Sequence, residues 1–98
     1  MNLRFSWSEN KNAINKMKHG ISFQNAARVF SDPMRLETYD RKHSTTEERW
    51  KTTGFVGASM LVVIFTERDG VIHLISAREA DKKEMKEYFY GYGTLYIN

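Results

Sequence analysis

The chain has 98 residues, a length that suits one domain with a single small core. Its composition, 41% hydrophobic and 13% aromatic, argues against disorder, and the sequence lacks the run of about 18 apolar residues that a membrane span needs. The net charge of +3 mildly favours an anionic partner such as nucleic acid, while the absence of cysteine and of an N-terminal export signal fits a cytoplasmic protein.

The first predicted elements are a short strand and a helix. Alternating apolar residues predict the strand, at Leu3, Phe5 and Trp7. Ser8 is a good N-cap and Gly20 a good C-terminal stop, so we expect a helix between them. The apolar stripe that should turn this helix towards the core consists of Ala13, Ile14, Met17 and then Ile21.

A second helix is predicted between the Ser22 cap and Pro33, because the residue before a proline avoids the helical region. Its buried face follows a regular helical spacing, at Phe23, Ala26, Ala27 and Phe30. Residues 35–39 then alternate and predict a strand, and the polar stretch 40–48 predicts a loop.

Three consecutive antiparallel strands are predicted between residues 49 and 78. The run 60–66 is almost wholly apolar, which is typical of a central strand buried on both faces. Asp69-Gly70 predicts a two-residue hairpin turn after it, and residues 57–59 predict a three-residue loop before it.

These loops predict the register of the three strands, and residues that lie opposite each other share a face. The expected pairs are Arg68 with Val71, Thr66 with His73, Leu61 with Arg78, Trp50 with Thr66, and Glu48 with Arg68. The less apolar face should therefore carry Glu48, Trp50, Arg68 and His73, with Arg78 on the other face.

The chain ends in a third helix. Asp81 and Glu84 have the spacing of a capping box, and the apolar stripe is Met85, Tyr88, Phe89 and Tyr92. Residues 91–98 form a tail that either docks or stays loose. The order β-α-α-β-β-β-β-α predicts a single α+β domain over residues 1–98, with two N-terminal helices and one C-terminal helix on one side of an antiparallel sheet of four to five strands.

An ordered set of short motifs carries a family resemblance between about residue 3 and residue 90. The motifs are Phe5-Ser-Trp7, Lys18-His-Gly20, Ser22-Phe23 with Ala26-Ala27, Phe30-Ser-Asp-Pro33, His43-Ser44, Glu48-Arg-Trp50 and Ile75-Ser-Ala-Arg78. In this set the chain resembles the BrnT toxin family. The resemblance implies a RelE-like fold and a bacterial type II toxin that cuts RNA and stops translation. It also implies a BrnA-like antitoxin that holds the toxin inactive and, together with it, binds and represses their operator DNA.

Metal-independent RNA cleavage requires a base for the 2′-hydroxyl, cations for the phosphorane-like transition state, and often a ring on which a base can stack. We therefore expect Glu48 or His73 to act as the base, Arg68 to clamp the phosphate, and Trp50 to stack on RNA. Two cations flank Trp50 and are further RNA-binding candidates, Arg49 and Lys51. No metal-ligand spacing and no phosphate-binding glycine loop is present, so we expect neither a metal nor a cofactor.

Lys18, His19 and Arg78 are catalytic candidates through the resemblance alone. Each candidate also has a purely structural interpretation. Lys18-His19-Gly20 would form a helix C-cap, Trp50 would fill the core, and Glu48 with Arg68 would form a surface ion pair. His73 would be a hydrogen-bonded strand histidine, and Arg78 would anchor the third helix through Glu79 or Glu84.

The alternative function is a non-catalytic module that binds protein or nucleic acid. Binding alone would need cations and no base.

Overall fold

The computed structural model describes the backbone of residues 2–97 and the side chains of residues 2–91. The elements are β1 (Phe5–Ser6), α1 (Glu9–His19), α2 (Phe23–Ala26) continued by a 3-10 helix (Ala27–Ser31), β2 (Leu36–Tyr39), a 3-10 turn (Arg41–His43), β3 (Trp50–Val56), β4 (Ser59–Arg68), β5 (Val71–Glu79) and α3 (Lys82–Ile97). The α+β class and the order of the main elements are confirmed. Most of the stretch predicted to be a tail, residues 91–98, belongs to α3, which extends to Ile97. How the side chains from residue 92 onward pack lies outside the described residues.

All five strands belong to one sheet, in the order β1-β5-β4-β3-β2. β1 runs parallel to β5, with Phe5 beside Ile72 and Ser6 beside His73. The other neighbours are antiparallel. The prediction of a purely antiparallel sheet is therefore wrong. The sheet is mixed because the chain returns to its own N-terminal strand only after the β3–β5 meander.

In the part of the chain that the structure describes, no helix has the length and apolar character needed to cross a membrane.

The hydrophobic core lies between α1, α2 and one face of the sheet, which we call the core face. Its buried members are Ile21, Phe23, Ala26, Val29, Phe30, Val56, Leu61, Val63, Phe65, Ile72, Leu74 and Ala77. The caps at Ser8, Gly20 and Ser22 are confirmed, and so is the end of the second helical segment before Pro33.

α1 is held to the core by asparagines and not by its apolar stripe. Asn12 and Asn15 are buried, whereas Ile14 is 53% and Met17 89% exposed. The Asn15 amide donates to the carbonyl oxygens of Ile21 and Ala77, both at 2.9 Å, and accepts from the Ala77 N–H at 3.1 Å. Because β1 covers only two residues of β5, the outer backbone groups of Ala77 have no strand partner, and Asn15 takes that place. The predicted core stripe is therefore wrong for Ala13, Ile14 and Met17, which are exposed, and is confirmed for Ile21, which is buried in the core.

The β4–β5 hairpin keeps the predicted register near its turn and loses it further along. Arg68 lies opposite Val71, as expected. A β-bulge at Ile75 then shifts the ladder, so that Leu61 faces Glu79 and Arg78 faces Val62. The predicted placement of Arg78 on the opposite face from Arg68 is wrong, because one extra residue on β5 reverses the alternation.

The β3–β4 loop contains two residues and not three. Gly57 has φ +60 and Val56 pairs with Ser59, so Trp50 lies opposite Phe65 on the core face. The predicted pairing of Trp50 with Thr66 is wrong by one residue. Glu48 precedes β3 and has no place in the ladder opposite Arg68, so that expected pair is also absent from the described strands.

α3 covers the opposite side of the sheet, which we call the outer face. The side chains of Lys51 and Arg78 reach Glu84 from that face. The Tyr88 hydroxyl donates to Asp32 at 2.8 Å, and the Tyr88 ring lies 5.3 Å from that of Phe55. Helices therefore pack on both faces of the sheet and not on one. The predicted capping box at the start of α3 is confirmed, since Asp81 and Glu84 exchange backbone-to-carboxylate hydrogen bonds of 2.9 and 2.8 Å.

Candidate functional site

A pocket of about 410 Å³ opens on the outer face, between the loop that follows β2 and the strands β3, β4 and β5. It is lined by Asp40, His43, Arg49, Lys51, Ile64, Ile75, Ser76 and Arg78. These residues come from four separate stretches of the chain. We call this the His43 pocket.

Three adjacent strands build the floor of the His43 pocket. Lys51, Ile64 and Ser76 lie directly opposite one another in the ladder and form one row across the sheet. Arg78 follows two residues after Ser76 and therefore shares its face. The bulge at Ile75 sets this arrangement, since bulges commonly re-aim side chains beside functional sites.

One serine shapes the loop that forms the wall of the pocket. The Ser44 hydroxyl donates to the carbonyl oxygen of Asp40 at 2.6 Å and accepts from the N–H of Arg49 at 2.9 Å. The Asp40 N–H in turn donates to the carbonyl oxygen of Arg49 at 2.9 Å. Both ends of the loop are thus held together, and the 3-10 turn between them presents His43.

The His43 ring is paired with a carboxylate. Its Nδ1 lies 3.0 and 3.1 Å from the two oxygens of Asp40. The histidine side chain is 59% exposed, but that of Asp40 is only 15% exposed. A carboxylate on Nδ1 orients the ring and leaves Nε2 for a substrate, which is the arrangement of a general base or acid.

The three cations of the pocket differ in their hydrogen-bond partners. The Arg49 Nε is buried and has no hydrogen-bond partner among the described residues. Lys51 and Arg78 both bind Glu84: Lys51 Nζ is 2.7 Å from Oε2, and the Arg78 guanidinium reaches both oxygens at 2.8 Å. An arginine nitrogen buried without a partner is a costly arrangement that an anion would satisfy.

Glu84 fixes the charge state of this cluster. Its side chain is 5% exposed, and the hydrogen bonds from Arg78 hold its pKa far below the usual range of a glutamate, against the opposing effect of burial. The same bonds raise the pKa of Arg78. Asp40 and Glu84 are two carboxylates against the three cations Arg49, Lys51 and Arg78, so the cluster has a net charge of +1 before His43 is counted.

A larger pocket of about 720 Å³ contains Arg68, Glu48 and Trp50. Five acidic side chains line it, Glu37, Glu47, Glu48, Glu67 and Asp69, against the single cation Arg68. Arg68 itself is bound to Glu47 through contacts of 2.9 and 3.0 Å, and its pKa is raised by those bonds. A site with this charge repels a phosphate, so volume alone does not identify the place where RNA would bind.

The remaining predicted residues lie away from the His43 pocket. His73 bonds the Ser6 hydroxyl through Nδ1 at 2.9 Å, and burial first, then Arg68, lowers its pKa. Trp50 packs against the core and lies 5.2 Å from the Tyr39 ring. Lys18 and His19 occupy the last turn of α1, on the core-face side of the sheet, where the Gly20 cap ends the helix.

The structure therefore groups Arg49, Lys51 and Arg78 and separates them from Glu48, Arg68, His73, Lys18 and His19. Asp40 and His43 were not among the catalytic candidates predicted from the sequence. The His43-Ser44 motif was the only feature of the sequence that pointed to this loop. A histidine and a carboxylate three residues apart in a polar loop do not form a distinctive pattern. Within residues 2–91, no group of three or more His, Asp or Glu side chains is placed to hold a metal ion.

The sequence was compared with known protein families and with curated proteins. A family model described as the ribonuclease toxin, BrnT, of type II toxin–antitoxin systems matches residues 7–84. The matched range contains every residue of the His43 pocket and Glu84. No curated protein matches the chain.

Proposed function

The chain belongs to the BrnT family of ribonuclease toxins of type II toxin–antitoxin systems, and we propose that it cuts RNA in the His43 pocket without a metal ion. The observation that carries this proposal is the His43–Asp40 pair facing three cations in one pocket. That set matches what RNA cleavage by the substrate's own 2′-hydroxyl requires.

In the proposed reaction His43 takes the proton of the ribose 2′-hydroxyl through Nε2. The 2′-oxygen attacks the neighbouring phosphorus, and the bond from phosphorus to the 5′-oxygen breaks. The products are a 2′,3′-cyclic phosphate and a 5′-hydroxyl end. The leaving oxygen takes up a proton from water, and the proton that His43 then releases neutralises the hydroxide. Asp40 stabilises the imidazolium that forms, because its carboxylate contacts Nδ1 at 3.0 Å.

The cations of the pocket stabilise the negative charge that develops on the non-bridging phosphate oxygens. The buried Arg49 Nε, which has no hydrogen-bond partner within the described part of the chain, supports a phosphate at this position. Lys51 and Arg78 are held in place by Glu84, so little reorganisation is needed when the charge appears.

The apolar floor suits a single unstacked nucleobase. Ile64 and Ile75 provide the surface, and Ser76 offers a hydroxyl beside it. Bases become available in this way in single-stranded RNA, whereas duplex RNA keeps its bases stacked. The proposed substrate is therefore single-stranded RNA, and its loss stops translation.

The proposed partner is a BrnA-like antitoxin that neutralises the ribonuclease. A toxin of this type II family implies an antitoxin. We propose further that the antitoxin binds DNA, and that the complex represses the operon of the pair while the toxin alone does not bind the operator.

The test is cleavage of an end-labelled single-stranded RNA by purified protein in the presence of EDTA. His43→Ala should reduce the rate by at least about 100-fold, which is the usual contribution of a general base. Arg49→Ala should also reduce it strongly. Glu48→Gln and Arg68→Ala are the matched controls from the acidic pocket and should retain the wild-type rate.

The opposite pattern, with His43→Ala active and Arg68→Ala inactive, would move the site to the acidic pocket. Loss of cleavage with EDTA would refute the metal-independent reaction. A wild-type protein that neither cuts RNA nor arrests growth when induced would leave the non-catalytic binding module as the function.

A further inference from the structure

α1 presents an apolar surface to solvent. Met17 is 89% and Ile14 53% exposed, and Ala13 lies beside them and is also exposed. The other side of the helix is the one that contacts the protein, through the buried Asn12 and Asn15. This orientation is the reverse of what burial of apolar area favours. We call the exposed residues Ala13, Ile14 and Met17 the α1 face.

Cations surround the α1 face. Lys11 and Lys18 lie next to Ile14 on the helix surface, and Lys16 lies further round. Between residues 10 and 20 the sequence contains no acidic residue, and the preceding Glu9 is engaged with the Trp7 indole at 2.7 Å. The surface thus combines an apolar centre with a positive rim, and its complement is a segment that joins apolar side chains to carboxylates.

We propose that the α1 face is the surface on which the antitoxin docks, through an acidic segment that places one or two apolar side chains over Ile14 and Met17. Membership of a toxin–antitoxin family supplies the existence of such a partner, and charge complementarity supplies the chemistry of the segment. The inference rests on the proposed antitoxin partner, but it does not depend on which residues cut RNA.

The position of the α1 face makes the inference testable apart from catalysis. α1 packs on the core face, and the His43 pocket opens on the outer face. An antitoxin held at α1 therefore has to reach the pocket with a different segment. Substitutions on the α1 face should weaken antitoxin binding and leave RNA cleavage intact.

The experiment measures binding of the purified protein encoded by the gene next to that of this chain. Met17→Glu and, separately, Ile14→Glu should weaken binding by at least about 30-fold, as expected for a central interface side chain replaced by a charge that opposes an acidic partner. Met34→Glu is the matched control, since Met34 is 46% exposed and lies outside α1. All three variants should melt and cut RNA like wild type.

Binding of Met17→Glu and Ile14→Glu within about threefold of wild type would overturn the inference, since a hot-spot side chain costs more than that. A wild-type dimer that Met17→Glu dissociates, with antitoxin affinity unchanged, would overturn it in favour of self-association. Weakened binding with no His43-dependent cleavage would support the α1 face and refute only the catalytic proposal.

Discussion

Replacing Glu84 by glutamine tests whether one buried carboxylate ties α3 to the sheet. Glu84 accepts hydrogen bonds from Lys51, from both terminal nitrogens of Arg78 and from the N–H of Asp81. Glutamine has nearly the same shape, but it carries no charge and only one of its two terminal atoms accepts. The substitution therefore removes charge-assisted bonds without leaving a cavity.

The magnitude follows from the exposure of the partners. Breaking a buried ion pair by removing one member typically costs about 3–5 kcal/mol. The side chains of Arg78 and Lys51 are 42% and 32% exposed, so both can regain water, and the glutamine oxygen keeps part of the network. We expect the free energy of unfolding to fall by about 2–3 kcal/mol, which lowers Tm by about 10–20 °C in a domain of this size.

The loss should depend on pH. Because the folded-state pKa of Glu84 lies far below the ordinary value of 4.5, its stabilising effect is complete above the pKa of the unfolded chain and disappears as the pH falls through the folded-state value. The difference in free energy of unfolding between wild type and Glu84→Gln should therefore be largest at neutral pH and should become smaller at acidic pH.

The assay is thermal and urea unfolding followed by circular dichroism at pH 7 and in acid. Glu87→Gln, an exposed glutamate on the same helix, is the matched control and should change stability by less than about 0.5 kcal/mol. A Glu84→Gln variant that melts with the Glu87→Gln control at pH 7 would refute the reasoning. So would a gap that stays constant as the pH is lowered.

Three further substitutions test other contacts. Asn15→Ala should lower the free energy of unfolding by about 2–4 kcal/mol, because buried backbone groups of Ala77 lose their partners. The control in the same urea titration is Asn10→Ala, at an exposed position of α1. Equal urea midpoints for the two variants would contradict the expectation. Gly54→Ala should cost about 1–3 kcal/mol in thermal unfolding, because a Cβ there would lie 3.0 Å from Val29 Cγ2, and an unchanged Tm would show that the neighbours yield. Burial lowers the pKa of His73 in the wild type, so the free energy of unfolding should fall as the pH drops below the ordinary histidine value of 6.5. His73→Gln should remove that part of the fall between pH 7.5 and 5.5. If the stabilities of wild type and variant change in parallel with pH, His73 is not the group responsible.

The elements were predictable because their signals are local. Ser8, Gly20 and Ser22 cap helices in the structure as their chemistry requires. Asp69-Gly70 makes its turn with both residues at positive φ. The end of the second helical segment before Pro33 and the capping box of α3 are local features of the same kind. Each involves only a few neighbouring residues, so the sequence contains the whole cause.

The register was less predictable, since it depends on single residues whose alternatives have similar energies. Gly57 at φ +60 followed by Ala58 makes a two-residue turn, although the same residues with Ser59 are compatible with a three-residue loop. The bulge at Ile75 has no signature in an apolar strand. Each one-residue difference moves side chains to the other face, and this is how Trp50 and Arg78 came to be misplaced.

The candidate site was predictable only in part, because it is assembled by those same irregular features. Arg49, Lys51 and Arg78 were identifiable as cations, but their meeting depends on the bulge and on Glu84. Asp40 and His43 meet in a loop that Ser44 shapes through backbone contacts. The anchoring of α1 by Asn12 and Asn15 was hidden for a related reason, since hydrogen bonds from amides to backbone produce no apolar periodicity.

From the parallel pairing of β1 with β5 we expect a particular order of events during folding. Ser6 and His73 are neighbours in space but 67 residues apart in the chain. The β3–β5 meander, by contrast, forms through short hairpins that close at little entropic cost. The strands under the His43 pocket can therefore assemble early, while β1 joins last. Until β1 docks, β5 has an open edge able to pair with another chain, so the two residues of β1 also protect the nascent protein from association through that edge.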